Sequence, residues 1–184
     1  MSEQLDRLYE RVLVLRCQTG DEAAFAEIVQ RYHARLRTYL RSMLGDAHAA
    51  EDALQDVWLD VFRGVGNLRD TAAFTGWLYR IARDRAYRVL RRKKLPAQSI
   101  ESVELADAAE VELDADEREL VTSSMDRLPH EQREVLLLRF VEQMSYDEIA
   151  QAVGCELGTV RSRLHYAKRA LRALIERNGH EQRP

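Results

Sequence analysis

The stretch Ser145-Tyr146-Asp147-Glu148, followed by Gly154 and a basic run from Gly158, restricts this chain more than any other. A Ser at a helix start accepts the backbone N–H three residues on, and a Glu at that third position reaches back to the Ser N–H. The box predicts a short helix with Ile149, Ala150 and Val153 turned inward. Gly154 supplies the left-handed residue that stops it. Three residues later a second helix is predicted, with Val160, Leu164, Ala167, Leu171 and Leu174 on one face. Two helices across a glycine-containing turn make a helix-turn-helix, in which the first braces the second against a major groove about 12 Å wide. Gly158 and Thr159 are small enough to let the backbone approach phosphates. Arg161, Ser162, His165 and Tyr166 point outward near the helix start and are rich in donors for base edges. A plain helical hairpin accounts for the capping and the turn, but not for small entrance residues beside a basic outward face.

The rest of the chain reads as helices as well. It has 184 residues with only 8 Gly and 3 Pro, 46% hydrophobic and 32% charged, which argues against disorder and against a turn-rich β-sandwich. Asp21 is a cap for a helix with Phe25, Ile28, Val29, Tyr32, Leu36, Tyr39, Leu40 and Met43 at helical spacing, ended by Gly45. Asp46 caps the next, where Ala50, Leu54, Val57, Trp58, Val61 and Phe62 form the apolar face and Asp52, Gln55, Asp56 and Asp60 the other. Gly64 and Gly66 close it. Asp70 opens a third, with Phe74, Trp77, Leu78, Ile81, Ala82 and Leu90 buried and bases elsewhere. Leu128-Pro129 starts a further helix, with Val135, Leu136, Leu138 and Phe140 inward.

The near-neutral total charge of −3 conceals a strong asymmetry. From Arg69 to Lys94 nine bases face two acids; from Ser99 to Leu120 nine acids face one base; from Leu157 to Pro184 seven bases face two acids. Two basic segments separated by an acidic one make a bipolar molecule. The acidic run lacks a sustained apolar stripe and reads as a linker opened by Pro96. No apolar run approaches the roughly 18 residues a membrane span needs, so membrane insertion is not expected. The opening MSEQLDRLYERVLVLRC has neither a basic start nor an apolar core and is not a secretory leader. Cys17 and Cys155 stand far apart, which predicts neither a zinc site nor a disulfide and suits a reducing cytosol.

LPHEQREVLLLRFVEQMSYDEIAQAVGCELGTVRSRLHYAKRAL resembles region 4, the DNA-binding domain of sigma-70 family transcription initiation factors. AEDALQDVWLDVF followed by FTGWLYRIARDRA resembles region 2 of the extracytoplasmic-function (ECF) group of that family. The resemblance spans about residues 20–95 and 119–177. It implies an all-α chain: residues 1–95 a region-2-like domain, 96–118 an acidic linker, and 119–184 a region-4-like helix-turn-helix domain. It further implies a dissociable subunit of core RNA polymerase that reads and melts promoter DNA. Polymerase-binding residues would be Glu51, Asp52, Gln55 and Asp56. Arg80, Arg83, Asp84, Tyr87 and Arg88 would meet the −10 element, whose unstacked strand needs a basic groove and base pockets. Thr159, Arg161, Ser162, Arg163, His165 and Tyr166 would meet the −35 element. Such factors act in the cytoplasm, nucleoid-associated through polymerase, and are often held inactive by an anti-sigma factor. Asp84 stands where the family often has Asn, Arg88 where it often has an acid, Tyr166 where Arg is frequent and Glu156 where Pro is frequent. Promoter preference therefore does not carry over.

Two other readings account for less of the sequence. A stand-alone dimeric helix-turn-helix regulator would use the same C-terminal helices, but leaves the basic helix near residue 85 without a task. An enzyme would need a paired carboxylate and metal set, a phosphate loop or an activated nucleophile. No such pattern is present, so no catalytic residue, metal or cofactor is expected.

Overall fold

The computed structural model describes residues 3–93 and 115–181, and every regular element among them is helical. Most of the predicted linker, residues 96–114, lies outside the described residues. The helices are α1 (Glu3–Gln18), α2 (Glu22–Leu44), α3 (Ala47–Gly64), α4 (Phe74–Lys93), α5 (Ala115–Asp126), α6 (His130–Leu136), α7 (Tyr146–Val153) and α8 (Leu157–Glu181). α5 begins at Ala115, three residues before the expected end of the linker at 118, and α1 precedes the first helix expected from the sequence.

Caps set most boundaries. The Asp21 and Asp46 carboxylates accept the N–H groups of Ala24 and Ala49, each at 3.0 Å, and satisfy donors orphaned at the starts of α2 and α3. Gly45 and Gly154 end α2 and α7 at φ +62° and +68°, the left-handed region that glycine enters without steric cost. Asp70 caps a short 3-10 turn, Thr71–Ala73, rather than α4 itself, which starts at Phe74.

α1 to α4 form one unit around Leu13, Ile28, Leu36, Leu40, Leu54, Val57, Phe74 and Leu78, all essentially closed to solvent. Each such side chain contributes about 1.5–3 kcal/mol relative to staying exposed. Gln18 fastens the end of α1 by donating to the carbonyls of Val65 and Leu68 at 3.0 and 2.7 Å. α5 to α8 form a second unit around Val135, Leu138, Ile149, Val160, Leu164 and Ala167. The two units touch, with α7 lying along α4 and α6 meeting α2.

Two residues assigned to apolar faces stand in solvent. Phe62 is 62% exposed, although its ring meets Phe25 edge-on at 5.3 Å. It follows Val61 on the rim of α3, where the helix has turned out of the core. Phe140 is 51% exposed. The chain from Leu137 to Val141 is a π turn, with the Glu142 N–H reaching back to Leu137 O at 3.0 Å. Its wider turn rotates the residues that follow, so Leu137 and Leu138 at its start stay buried while Phe140 swings outward.

Candidate nucleic-acid interface

The helix-turn-helix forms as its local chemistry requires. Ser145 Oγ accepts the Glu148 N–H at 3.2 Å, and a Glu148 carboxylate oxygen accepts the Ser145 N–H at 2.6 Å. The Glu156 carbonyl accepts from Thr159 and Val160, which winds the first turn of α8. Val160, Leu164 and Ala167 anchor α8 inward. Arg161, Ser162, His165 and Tyr166 are exposed, and Thr159 is half-buried at the helix entrance. Ser162 Oγ donates to the Thr159 carbonyl at 3.0 Å, and the His165 and Tyr166 rings meet edge-on at 5.5 Å. Arg163 turns back instead, within 3.3 Å of Glu131 on α6, and sits at the margin of the set.

The second expected set lies on α4 and is divided. Arg80, Asp84 and Arg88 follow one another at helical spacing and are exposed. Arg83 and Tyr87 lie on the neighbouring stripe, with Gly76 and Tyr79, and that stripe is covered by the C-terminal unit. Glu134 of α6 brings its carboxylate to it. The Tyr39 hydroxyl donates to one oxygen at 2.9 Å and the Tyr87 hydroxyl to the other at 3.2 Å. Arg83 Nε lies 2.9 Å away as an ion partner, with its N–H aimed off the carboxylate. The Arg83 guanidinium also lies over the Tyr87 ring at 4.4 Å.

Glu142 makes a second contact of the same kind. Arg35 Nε donates to its carboxylate at 2.9 Å, and another guanidinium nitrogen donates to its backbone carbonyl at 2.8 Å. The buried Tyr79 hydroxyl donates to the same carboxylate. Arg133, also buried, donates across the units to the Ser42 carbonyl at 2.9 Å, which satisfies the end of α2.

Burial shapes the titration of these groups. Desolvation holds Glu134 above the usual carboxylate range, although Arg83 and the Tyr39 and Tyr87 hydroxyls pull the other way. Burial, with Glu134 beside them, raises Tyr39 well above its ordinary value and pushes Tyr87 up to about 12. Tyr79 rises for the same reason, with Glu142 as its neighbour. These contacts link residues on α2 and α4 to acids far along the chain, and only the apolar periodicity of Tyr39 was a local signal of them.

The third set is on α3. Asp52, Gln55 and Asp56 are exposed and Glu51 is half-buried. Glu51 pairs with Arg37, His48 Nδ1 lies 3.3 Å from Asp52, and Arg85 donates to Asp56 at 2.9 Å. Leu59, 51% exposed, and Phe62 sit beside these acids. Neither is among the site residues expected from the sequence: Phe62 is assigned there to the apolar face, where such a residue is ordinarily core, and Leu59 is assigned to neither face. Among the described residues no cluster of His, Cys, Asp or Glu is arranged to hold a metal ion. No helix among them is long and apolar enough to cross a membrane.

Comparison with known proteins assigns both units. Residues 28–95 match the family model for sigma-70 region 2, and residues 118–171 match that for sigma-70, region 4. The chain is 31% identical to the ECF RNA polymerase sigma-E factor of Escherichia coli K12, over 93% of this chain and 95% of that protein. It is 33% identical to the RNA polymerase sigma-H factor of Pseudomonas aeruginosa, over 88% of this chain and 91% of that one. Its fold is similar to the sigma factor RpoE in complex with the anti-sigma factor NepR from Bartonella quintana. There the TM-score is 0.69 at 25% identity, covering 83% of this chain and 96% of that one. CnrH in complex with the cytosolic domain of CnrY gives the same TM-score at 24% identity, a likeness of fold.

Proposed function

The chain belongs to the extracytoplasmic-function group of the sigma-70 family, and from that premise we propose how its residues divide the work of a sigma factor. It is an RNA polymerase sigma factor, a DNA-binding protein of promoter recognition and transcription initiation that works with core polymerase. Residues 1–95 are the polymerase-binding and −10-binding domain, 96–118 the tether, and 119–184 the −35-binding domain. Arg161 and Ser162 lead the −35 contacts from the start of α8, with Thr159, His165 and Tyr166 around them and Arg163 at the edge. Arg80, Arg83, Asp84, Tyr87 and Arg88 hold the melted −10 strand. Its phosphates track the bases and its unstacked nucleobases rest on the aromatic ring. Glu51, Asp52, Gln55 and Asp56, joined by Leu59 and Phe62, form the polymerase-binding face.

The observation that carries this reading is the pairing of region 2 and region 4 on one chain, matched nearly end to end by sigma-factor relatives. The protein supplies no catalysis of its own; polymerase makes the RNA. It works in the cytoplasm, at the nucleoid through polymerase. An anti-sigma factor is its expected negative partner, as one accompanies the similar Bartonella sigma factor. In vitro transcription with core polymerase and promoter mapping tests the whole reading. Specific initiation dependent on this protein supports it. Tight dimeric operator binding without polymerase, and no initiation with it, would replace it with the stand-alone regulator.

A further inference from the structure

α1 is packed on one side only. Leu13, Val14 and Cys17 are buried against the rest of the N-terminal unit. Asp6 and Glu10 turn the same way, Asp6 to Arg31 at 3.7 Å and Glu10 to the hydroxyls of Tyr32 and Thr75. The opposite side carries Leu5, Leu8, Val12 and Leu15, each between 42% and 58% exposed. Of the nine large apolar residues exposed among the described residues, five lie on this helix. Steps of three, four and three residues are those of the a and d positions of a coiled coil. The stripe they make is narrower than the broad apolar face of a helix that lies in lipid. We propose that the outer face of α1 is a docking seam for one helix of another protein, a helix whose own apolar heptad stripe is bordered by Glu or Asp.

Charge selects the partner. With Leu5 and Val12 at a and Leu8 and Leu15 at d, the positions bordering the seam hold Gln4, Tyr9, Arg11 and Arg16, and no acid. Arg16 is met by Asp21 at 2.8 Å, whereas Arg11 is exposed and has no ion pair among the described residues. A second copy of this chain fits poorly in either direction. Side by side and parallel, Arg11 of one copy faces Arg16 of the other; antiparallel, with Leu5 set on Leu15, the two Arg11 side chains meet each other. A carboxylate bordering the partner's stripe meets Arg11 with opposite charge.

The test measures anisotropy of a fluorescein-labelled synthetic peptide of three heptads, with Leu at a and d and Glu at e and g, titrated with the full chain. A twin peptide carries Lys in place of Glu. The acidic peptide should bind saturably, at least tenfold tighter than its twin, and more weakly as salt rises. Leu8→Glu should weaken that binding at least tenfold, with circular dichroism to show that the variant is folded. Arg11→Glu supplies a second variant in case the first does not fold, and should reverse the preference between the two peptides. Equal affinity for both peptides, unchanged binding by a folded Leu8→Glu, or an unaltered preference in Arg11→Glu would overturn the proposal. Sedimentation of the chain alone and flotation with phosphatidylglycerol vesicles test the other occupants. A dimer, or a vesicle-bound chain, that Leu8→Glu abolishes would overturn it in favour of a second copy or of lipid.

Discussion

Tyr39 and Glu134, 95 positions apart, meet across the two halves of the protein through a 2.9 Å hydrogen bond closed to solvent. Tyr39 is also held edge-on against Tyr79, with ring centroids 5.4 Å apart. The bond links the N-terminal core to the acid that also meets Arg83 and Tyr87 on α4. Tyr39→Phe keeps the ring packing but leaves the carboxylate one donor short. Loss of a bonded partner at a buried group costs about 1–3 kcal/mol. Chemical denaturation should show a loss of that order, and a change within error would remove the bond from the forces holding the units together.

The pH dependence of the contact between the two units follows from Glu134. Burial raises its carboxyl above the usual range when the units touch, so this closed form binds the proton more tightly than an open one. Stabilisation from this group is complete below the open-form carboxylate range and is lost as pH rises through the raised closed-form value. The groups facing it are Arg83, Tyr39 and Tyr87, and the tyrosines titrate far above that window. Interdomain energy transfer should report a growing closed population as pH falls from neutral, and Glu134→Gln should flatten the response. An unaltered profile in that variant would assign the dependence to other acids.

On the −35 side, Arg161→Ala should weaken promoter-specific initiation by about 1–3 kcal/mol, the value of a bidentate base contact. Arg161 is exposed, so the fold should survive the change. Promoter profiling of the variant holoenzyme measures the effect, and an unchanged profile would take Arg161 out of the base contacts.

For the polymerase face, Asp56→Lys and Leu59→Lys should both reduce capture of core polymerase in a pull-down. Asp56 and Leu59 are more than half exposed, and circular dichroism should be unaltered. Full binding by two folded variants would move the interface elsewhere on the molecule.

Ser145→Ala removes the hydroxyl half of the capping box and should cost about 1 kcal/mol of stability, typical for loss of such a cap. Thermal unfolding measures it. Ser145→Asp, which keeps an acceptor, should recover most of the loss.

What could be read without coordinates is what acts over a few residues. The caps at Asp21, Asp46 and Ser145 and the left-handed stops at Gly45 and Gly154 stand where their local chemistry requires them. Helical spacing likewise places Ile28, Leu36, Leu54 and Val160 in the cores. Each of these rests on contacts between residues three to five apart, which the sequence displays directly. The exposure of Phe62 and Phe140 was hidden, because one depends on where a helix rim meets neighbouring helices and the other on a π turn with no composition signal of its own. The covering of Arg83 and Tyr87 was hidden too. It depends on which face of α4 receives Glu134, and on burial that makes a carboxylate seek donors about 50 to 100 residues away. Sequence alone determined most of the helices, the caps at Asp21, Asp46 and Ser145, and the family to which the chain belongs. Tertiary structure decided which of the basic residues stand open to solvent, because desolvation and pairing depend on the neighbours a side chain acquires only in the folded chain.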